Sequence, residues 1–130
     1  MALPALSLAA GFPRQGRRAR LAPRDATDGK VTLTVVRFRD GVEAGTVVLR
    51  AEDAALVVDE LAISEAYRGY GLGSDTAAML RELAAEGGYG SLRAWAPPAI
   101  GLAVYFWIRM GLRPLFGEGP AGGIWFERRL

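Results

Sequence analysis

The segment Tyr67-Arg68-Gly69-Tyr70-Gly71-Leu72-Gly73-Ser74 lies between two runs of different periodicity. Before it, Ala55-Leu56-Val57-Val58-Asp59-Glu60-Leu61-Ala62-Ile63 is apolar and largely β-branched, interrupted by two carboxylates, and reads as a buried strand. After it, Asp75 to Glu86 is rich in Ala, Leu and Met, with apolar residues at Ala77, Leu80, Leu83 and Ala84. That spacing is helical, and Gly87-Gly88 stops it. A glycine-rich turn therefore leads from a strand into a helix N-terminus. The first turn of a helix has unpaired N–H groups and a partial positive charge, and glycines let an anion approach the backbone. The expected role of such a turn is to cradle a pyrophosphate.

The spacing narrows the class of cradle. A Walker loop requires Gly-Lys-Ser/Thr at the helix start, whereas Gly73 is followed directly by Ser74. A dinucleotide-binding turn requires Gly-x-Gly-x-x-Gly, whereas the order in this turn is Gly69, Gly71, Gly73, and no new strand-helix unit with an acidic ribose ligand follows it. What fits is Arg-x-x-Gly-x-Gly, carried by Arg68, Gly71 and Gly73 after a strand reading Asp-Glu-Leu-Ala-Ile. This resembles the coenzyme A loop of the GNAT superfamily of acyl-CoA-dependent N-acyltransferases. A second stretch, Ala103 to Leu115, is similar to that superfamily's carboxy-terminal motif of helix, aromatic pair and glycine before a strand. Together the two motifs cover about residues 31–130.

The whole chain agrees with a single domain. Its 130 residues suffice for one core. It has no cysteine and no histidine, which excludes thiolate nucleophiles, disulfides and the commonest general base. Acid–base chemistry falls to carboxylates, tyrosines, Lys30 and arginines. A net charge of +2 is too small to argue for nucleic acid, although Arg14, Arg17, Arg18, Arg20 and Arg24 form a local basic patch, read as a solvated tail or a polyanion site. The apolar run Met1 to Phe12 is too short to span a membrane, and its arginines follow rather than precede it. The expectation is a cytoplasmic protein with no membrane partner.

In chain order, Arg17 to Ala22 reads as a short edge strand ended by Pro23, and Asp25 to Lys30 as loop. Val31 to Phe38 and Glu43 to Arg50 read as a hairpin about Asp40-Gly41, followed by the strand from Ala55. Beyond the helix, Ser91 to Trp95 is a strand, Ala99 to Met110 a helix, Leu112 to Phe116 and Ile124 to Arg128 strands, with Gly117 to Gly123 connecting the last two. The order β-β-β-α-β-α-β-β implies an α/β (α+β) fold, with a mixed, mostly antiparallel sheet and helices on its faces. The amino-terminal region, 1–29, is expected to be shortened or partly disordered, lacking the family's usual helices between its first two strands.

The resemblance implies acetyl-CoA as cosubstrate, no metal, and a primary amine, small molecule or peptide, as acceptor, attacked directly without a covalent enzyme intermediate. A CoA-binding module with weak or lost catalysis is the alternative. By the same resemblance Leu61, Ala62 and Ile63 lend backbone to the cosubstrate, the Ile63 N–H polarising the thioester carbonyl. Arg68, Gly69, Tyr70, Gly71, Leu72, Gly73 and Ser74 surround the pyrophosphate. A carboxylate must serve as base, and adjacent strand residues face opposite sides, so only one of Asp59 and Glu60 is expected to enter the cleft. Glu60 is favoured for its reach. The family's acidic tyrosine is replaced by Trp107, which leaves Tyr105 as a hydroxyl two residues away, pointing roughly the opposite way on a helix. The apolar amino terminus and the apolar helix suggest a homodimer with the arm packing on its neighbour, or alternatively a tail on a monomer.

Overall fold

Hairpins build the first half of the sheet. In a computed structural model, which describes residue 8 and residues 10–97, 101–115 and 123–130, the short strand β1 (Arg14–Gln15) pairs with β2 (Ala19–Thr27). Strand β2 then pairs antiparallel with β3 (Lys30–Arg37), β3 with β4 (Glu43–Glu52), and β4 with β5 (Ala55–Ile63). The expected loop at 25–30 is instead strand and a two-residue turn, Asp28-Gly29, both left-handed at φ 53° and 75°. Asp-Gly is the residue pair such a hairpin turn favours, and it leaves no room for helices between these strands. Pro23 does not end β2. It sits where β1 has already stopped, so one edge of β2 is open, and the register shifts by one residue between Pro23 and Asp25.

The glycine-rich segment leads from β5 through a short 3-10 turn (Glu65–Tyr67) into helix α1 (Leu72–Glu86). Strand β6 (Ser91–Ala96) returns parallel to β5, as a crossover through a helix requires. Helix α2 (Gly101–Arg109), β7 (Arg113–Pro114) and β8 (Ile124–Arg129) complete the described order. Among the described residues eight strands form one sheet, ordered β1-β2-β3-β4-β5-β6-β8-β7. The expected strand to Phe116 shrinks to Arg113–Pro114; Phe116, the connection at 117–122 and the helix start at 99–100 lie outside the described residues.

One face of this sheet holds the core. Leu33, Val35, Val47, Leu49, Leu56, Val58, Leu92 and Phe126 pack beneath Leu72, Met79, Leu80 and Leu83 of α1 and Trp107 of α2. Each fully buried aliphatic side chain contributes about 1.5–3 kcal/mol, so Leu80→Ala alone costs about 2–5 kcal/mol. Leu8 and Phe12 are buried in the same cluster, 3% and 8% exposed. Leu8 and Phe12 thus pack on their own chain.

The opposite face carries charge. Arg50 Nε donates to both Asp59 oxygens at 3.1 and 3.0 Å, Lys30 Nζ lies 3.4 Å from Asp59, and Arg50 also pairs with Glu52. Burial works against the Arg50 charge, but hydrogen bonds to Glu52 and Asp59 outweigh it and raise the pKa. Arg93 binds Glu127 at 3.0 Å on the neighbouring strands. Among the described residues, no helix is long and apolar enough to cross a membrane, and no group of His, Cys, Asp or Glu is placed to hold a metal ion.

Candidate functional site

Strands β5 and β6 pair only from Ala55–Ser91 to Val58–Ala94. Beyond that point β6 stays with β8, while the last five residues of β5 (Asp59 to Ile63) have no β6 partner. The sheet therefore opens into a notch. Ser64 N–H donates to Ala44 C=O at 2.8 Å, which fixes the alternation along β5 against β4. Glu60 and Ala62 fall at positions bonded to β4, so the backbone groups of Leu61 and Ile63 point into the notch. A strand edge of this kind accepts an extended ligand through its main chain. Leu61 and Ile63 turn their side chains into the core, whereas Glu60 and Ala62 are exposed.

The register of β4 and β5 overturns one expectation. Val48 pairs with Glu60 but Leu49 with Val58, so Asp59 is an extra residue, a β-bulge. The bulge interrupts the alternation of faces. Asp59 bonds to Arg50, which lies opposite Val57 on the charged face, and Glu60 lies opposite Val48 on that same face. Both carboxylates thus share the face away from the helices. They differ in engagement: Asp59 is held between Arg50 and Lys30, while Glu60 is exposed and forms no ion pair among the described residues.

Above the notch lies the glycine-rich loop. Gly71 caps α1 in the left-handed region at φ 81°, with no side-chain cap. The backbone angle calls for glycine, while a Cβ there would meet the flexible end of Arg18, Nη1 at 2.7 Å. Asp75 N–H bonds back to Gly71 C=O, leaving Leu72, Gly73 and Ser74 as the open N–H groups of the first turn. Gly73 rests against the core side of the loop, where a Cβ would contact Phe106 at 3.4 Å and Ile63 at 3.7 Å. Arg68 folds back, Nε donating to Ile63 C=O at 2.8 Å, which ties the loop to the end of β5. Gly69 is left-handed at φ 85° and Tyr70 is 62% exposed.

Sequence reasoning missed what holds this loop from the other side. The Asp75 carboxylate accepts three consecutive backbone N–H groups, from Arg17 at 3.2 Å and from Arg18 and Ala19 at 2.9 Å each. Gly16 lies so close to this carboxylate that a Cβ would overlap it. Arg18 Nη1 then donates to Tyr70 C=O at 2.9 Å, and Arg14 pairs with Glu86 at the far end of α1. An Asp in a helix's first turn is an ordinary favourable charge, so nothing local marked Asp75 as a partner for residues more than fifty positions away.

The two aromatic candidates on α2 are placed on opposite sides. Trp107 is 3% exposed and meets Phe106 edge to face, with ring centroids 4.9 Å apart. Tyr105 is 75% exposed.

No protein-family model matches the chain, and neither does any curated protein. Solved structures do match in fold. An acetyltransferase of the GNAT family from Elizabethkingia anophelis, with acetyl-CoA bound, is 12% identical with a TM-score of 0.69, over 87% of this chain and 99% of that one. The PaiA N-acetyltransferase of Thermoplasma acidophilum, in complex with coenzyme A, is 14% identical (TM-score 0.67) over 78% of this chain. This chain spans only 62% of the PaiA structure's length. A Bacillus subtilis acetyltransferase in complex with CoA is 13% identical with a TM-score of 0.66, over 80% of this chain and 79% of that one. The fold is that of the GNAT acyl-CoA N-acetyltransferases.

Proposed function

We propose that this protein transfers an acetyl group from acetyl-CoA to a primary amine. The observation that carries the reading is the parting of β5 and β6 at Val58 and Ala94, directly below a glycine-capped helix N-terminus with three open N–H groups. The residues fit the cosubstrate: a free strand edge for an extended chain, and a side-chain-free cap with backbone donors for a pyrophosphate. When bound, the thioester supplies the activated acetyl group. Leu72, Gly73 and Ser74 would hold the pyrophosphate, with Arg68 and Tyr70 beside it. Leu61 and Ile63 would orient the pantetheine arm, and the Ile63 N–H would donate to the carbonyl oxygen as negative charge gathers there.

Glu60 is the proposed base. It shares the open face with Asp59, but its carboxylate forms no ion pair among the described residues, whereas Asp59 is neutralised by two cations. Its task is to take the proton from an acceptor that arrives as ammonium. That face has no helix over it among the described residues, so the acceptor would meet an open surface bordered by Arg50, Arg93 and Glu127. Acceptors of this kind include small amines and peptide amines. A second reading, a CoA-binding module without turnover, is favoured by one observation: α2 offers a buried Trp107 where the family has a tyrosine, and Tyr105 faces solvent.

Acetyl-CoA should raise the melting temperature of the wild type, and Gly73→Asp should abolish that shift by adding a negative charge to the helix turn that receives the phosphate, with its Cβ against Phe106 and Ile63. An unchanged shift in folded Gly73→Asp protein overturns the binding site. Free-thiol release with a panel of amines then separates enzyme from module. Glu60→Gln should lower turnover about a hundredfold near neutral pH, the deficit shrinking as pH rises and free amine accumulates. Were Asp59→Asn to show that pattern while Glu60→Gln stayed near wild type, the assignment of the base would be wrong.

A further inference from the structure

The face of the sheet opposite the helices carries two indoles that the core does not use. Along β6 the buried residues are Leu92, Ala94 and Ala96, so Arg93 and Trp95 point to the charged face. On β8 Phe126 is buried, which turns Trp125 and Glu127 the same way. The register sets Trp95 directly opposite Trp125, beside the pair of Arg93 and Glu127. Trp95 is also the first residue of β6 past its last pairing with β5, that of Ala94 with Val58. It therefore borders the notch, across from Asp59 and Glu60. Arg50 reaches over from β4, its guanidinium 5.9 Å from the centre of the Trp125 ring. Strands β5 and β6 run between β4 and β8, so this contact lies over the two strands close to where they part. Since Arg50 also holds Asp59, the ring is fixed beside the carboxylates. Gly123 packs so closely on Trp95 Nε1 that a Cβ would overlap it. That N–H is buried and makes no hydrogen bond, so the indole is placed for its ring and not for its donor. The charges around the two rings are otherwise taken: Arg50 and Lys30 by Asp59, Arg50 also by Glu52, and Arg93 by Glu127.

We infer that Trp95 and Trp125 form the specificity wall of the acceptor site, and that the acceptor is a monoamine carried on a flat ring. The inference rests on acetyl transfer at the notch and names the acceptor for it. Glu60, without an ion pair among the described residues, matches a single ammonium. The surface next to it is aromatic, and a flat ring packs on an indole through dispersion and the quadrupoles of both rings. A polyamine would bring further cations against Arg50, Arg93 and Lys30, whose carboxylates are already occupied. An amino acid would bring its own carboxylate up to Glu60. Both are disfavoured by uncompensated like charge, which leaves the ring-bearing monoamine as the chemistry this wall accepts.

The probe is phenethylamine, with butylamine and spermidine as comparisons. Three tryptophans give three indole N–H resonances, and Trp107, buried in the core, serves as the internal reference. In the isotope-labelled full chain with coenzyme A present, phenethylamine should shift the Trp125 resonance saturably and leave that of Trp107 in place; Trp125→Phe assigns the resonance by removing it. In thiol-release assays the wild type should favour phenethylamine over butylamine by about tenfold or more in kcat/KM. Trp125→Leu should cut that ratio about tenfold, chiefly through KM, and Trp125→Phe should restore most of it, with circular dichroism melts establishing that both variants fold. An unchanged ratio in folded Trp125→Leu protein, a Trp125 resonance indifferent to the amine, or a wild-type preference for spermidine would each overturn the inference. Equal turnover of butylamine and phenethylamine would overturn it while leaving acetyl transfer standing. Turnover of no amine would refute acetyl transfer, and the Trp125 resonance would then decide by itself whether the wall binds a ring-bearing amine.

Discussion

Asp75→Ala tests the junction between the amino-terminal segment and the loop. The carboxylate accepts three backbone N–H groups, two through Oδ2 and one through Oδ1. A hydrogen bond to a charged group is worth about 1.5–3 kcal/mol net, but the Arg17 and Arg18 amides are exposed and regain water when the acceptor is lost. The Ala19 residue is fully buried, so its amide is left without a partner at about 1–3 kcal/mol. Loss of a negative charge from the first turn of α1 adds about 0.3–1 kcal/mol. The expected total is about 2–4 kcal/mol, which for a chain of this size lowers the melting temperature by roughly 8–15 °C. Urea unfolding followed by tryptophan fluorescence reads it directly. Gly16→Ala supplies the second arm of a double-mutant cycle, because its Cβ must displace the same carboxylate. Gly16→Ala should be costly in the wild type and nearly neutral beside Asp75→Ala. A loss below about 0.5 kcal/mol for Asp75→Ala, or strictly additive variants, would refute the claim that this contact anchors the segment.

A chain beginning at Arg17 lacks Leu8 and Phe12, and should be about 3–6 kcal/mol less stable in chemical denaturation; unaltered stability would mean that those side chains are not core. Trp107→Tyr should destabilise by about 2 kcal/mol or more, through lost volume and a buried hydroxyl, without a gain in turnover. Tyr105→Phe should leave turnover within about threefold of wild type, and a larger loss in thiol-release assays would give the exposed hydroxyl a catalytic part. The Arg37 hydrogen bond, opposed by desolvation and helped by the Val42 amide, holds the Asp40 carboxyl down to about 2 from 3.8. A folded-state pKa below the unfolded value means that its stabilisation is complete above about pH 4 and fades as pH falls towards 2. Acid titrations of Asp40→Asn should lack that part of the slope, and an identical slope would count against the pair.

Much of this molecule is written in local pattern. The strand from Ala55 to Ile63, the helix after Gly71 and the glycine spacing between them are local properties, set by side-chain periodicity and by backbone angles that only glycine adopts cheaply. Together with the motif from Ala103 to Leu115 they indicated the GNAT fold and a loop shaped for a phosphate. Asp28-Gly29 was equally local and readable as a hairpin turn, but Pro23 five residues earlier suggested that the strand had already ended; the open edge that tolerates Pro23 exists only once β1 is seen to stop short. Tertiary structure decided the rest. The bulge that places Asp59 and Glu60 on one face depends on the register against β4, which no spacing within β5 encodes. The Asp75 anchor and the gathering of Arg17 and Arg18 with Arg37 and Arg39 join segments far apart in sequence. Long-range pairing is chosen by the packing of the whole sheet, so a charge that reads as a solvated tail in sequence becomes one wall of a cleft when the strands on either side of it are brought together.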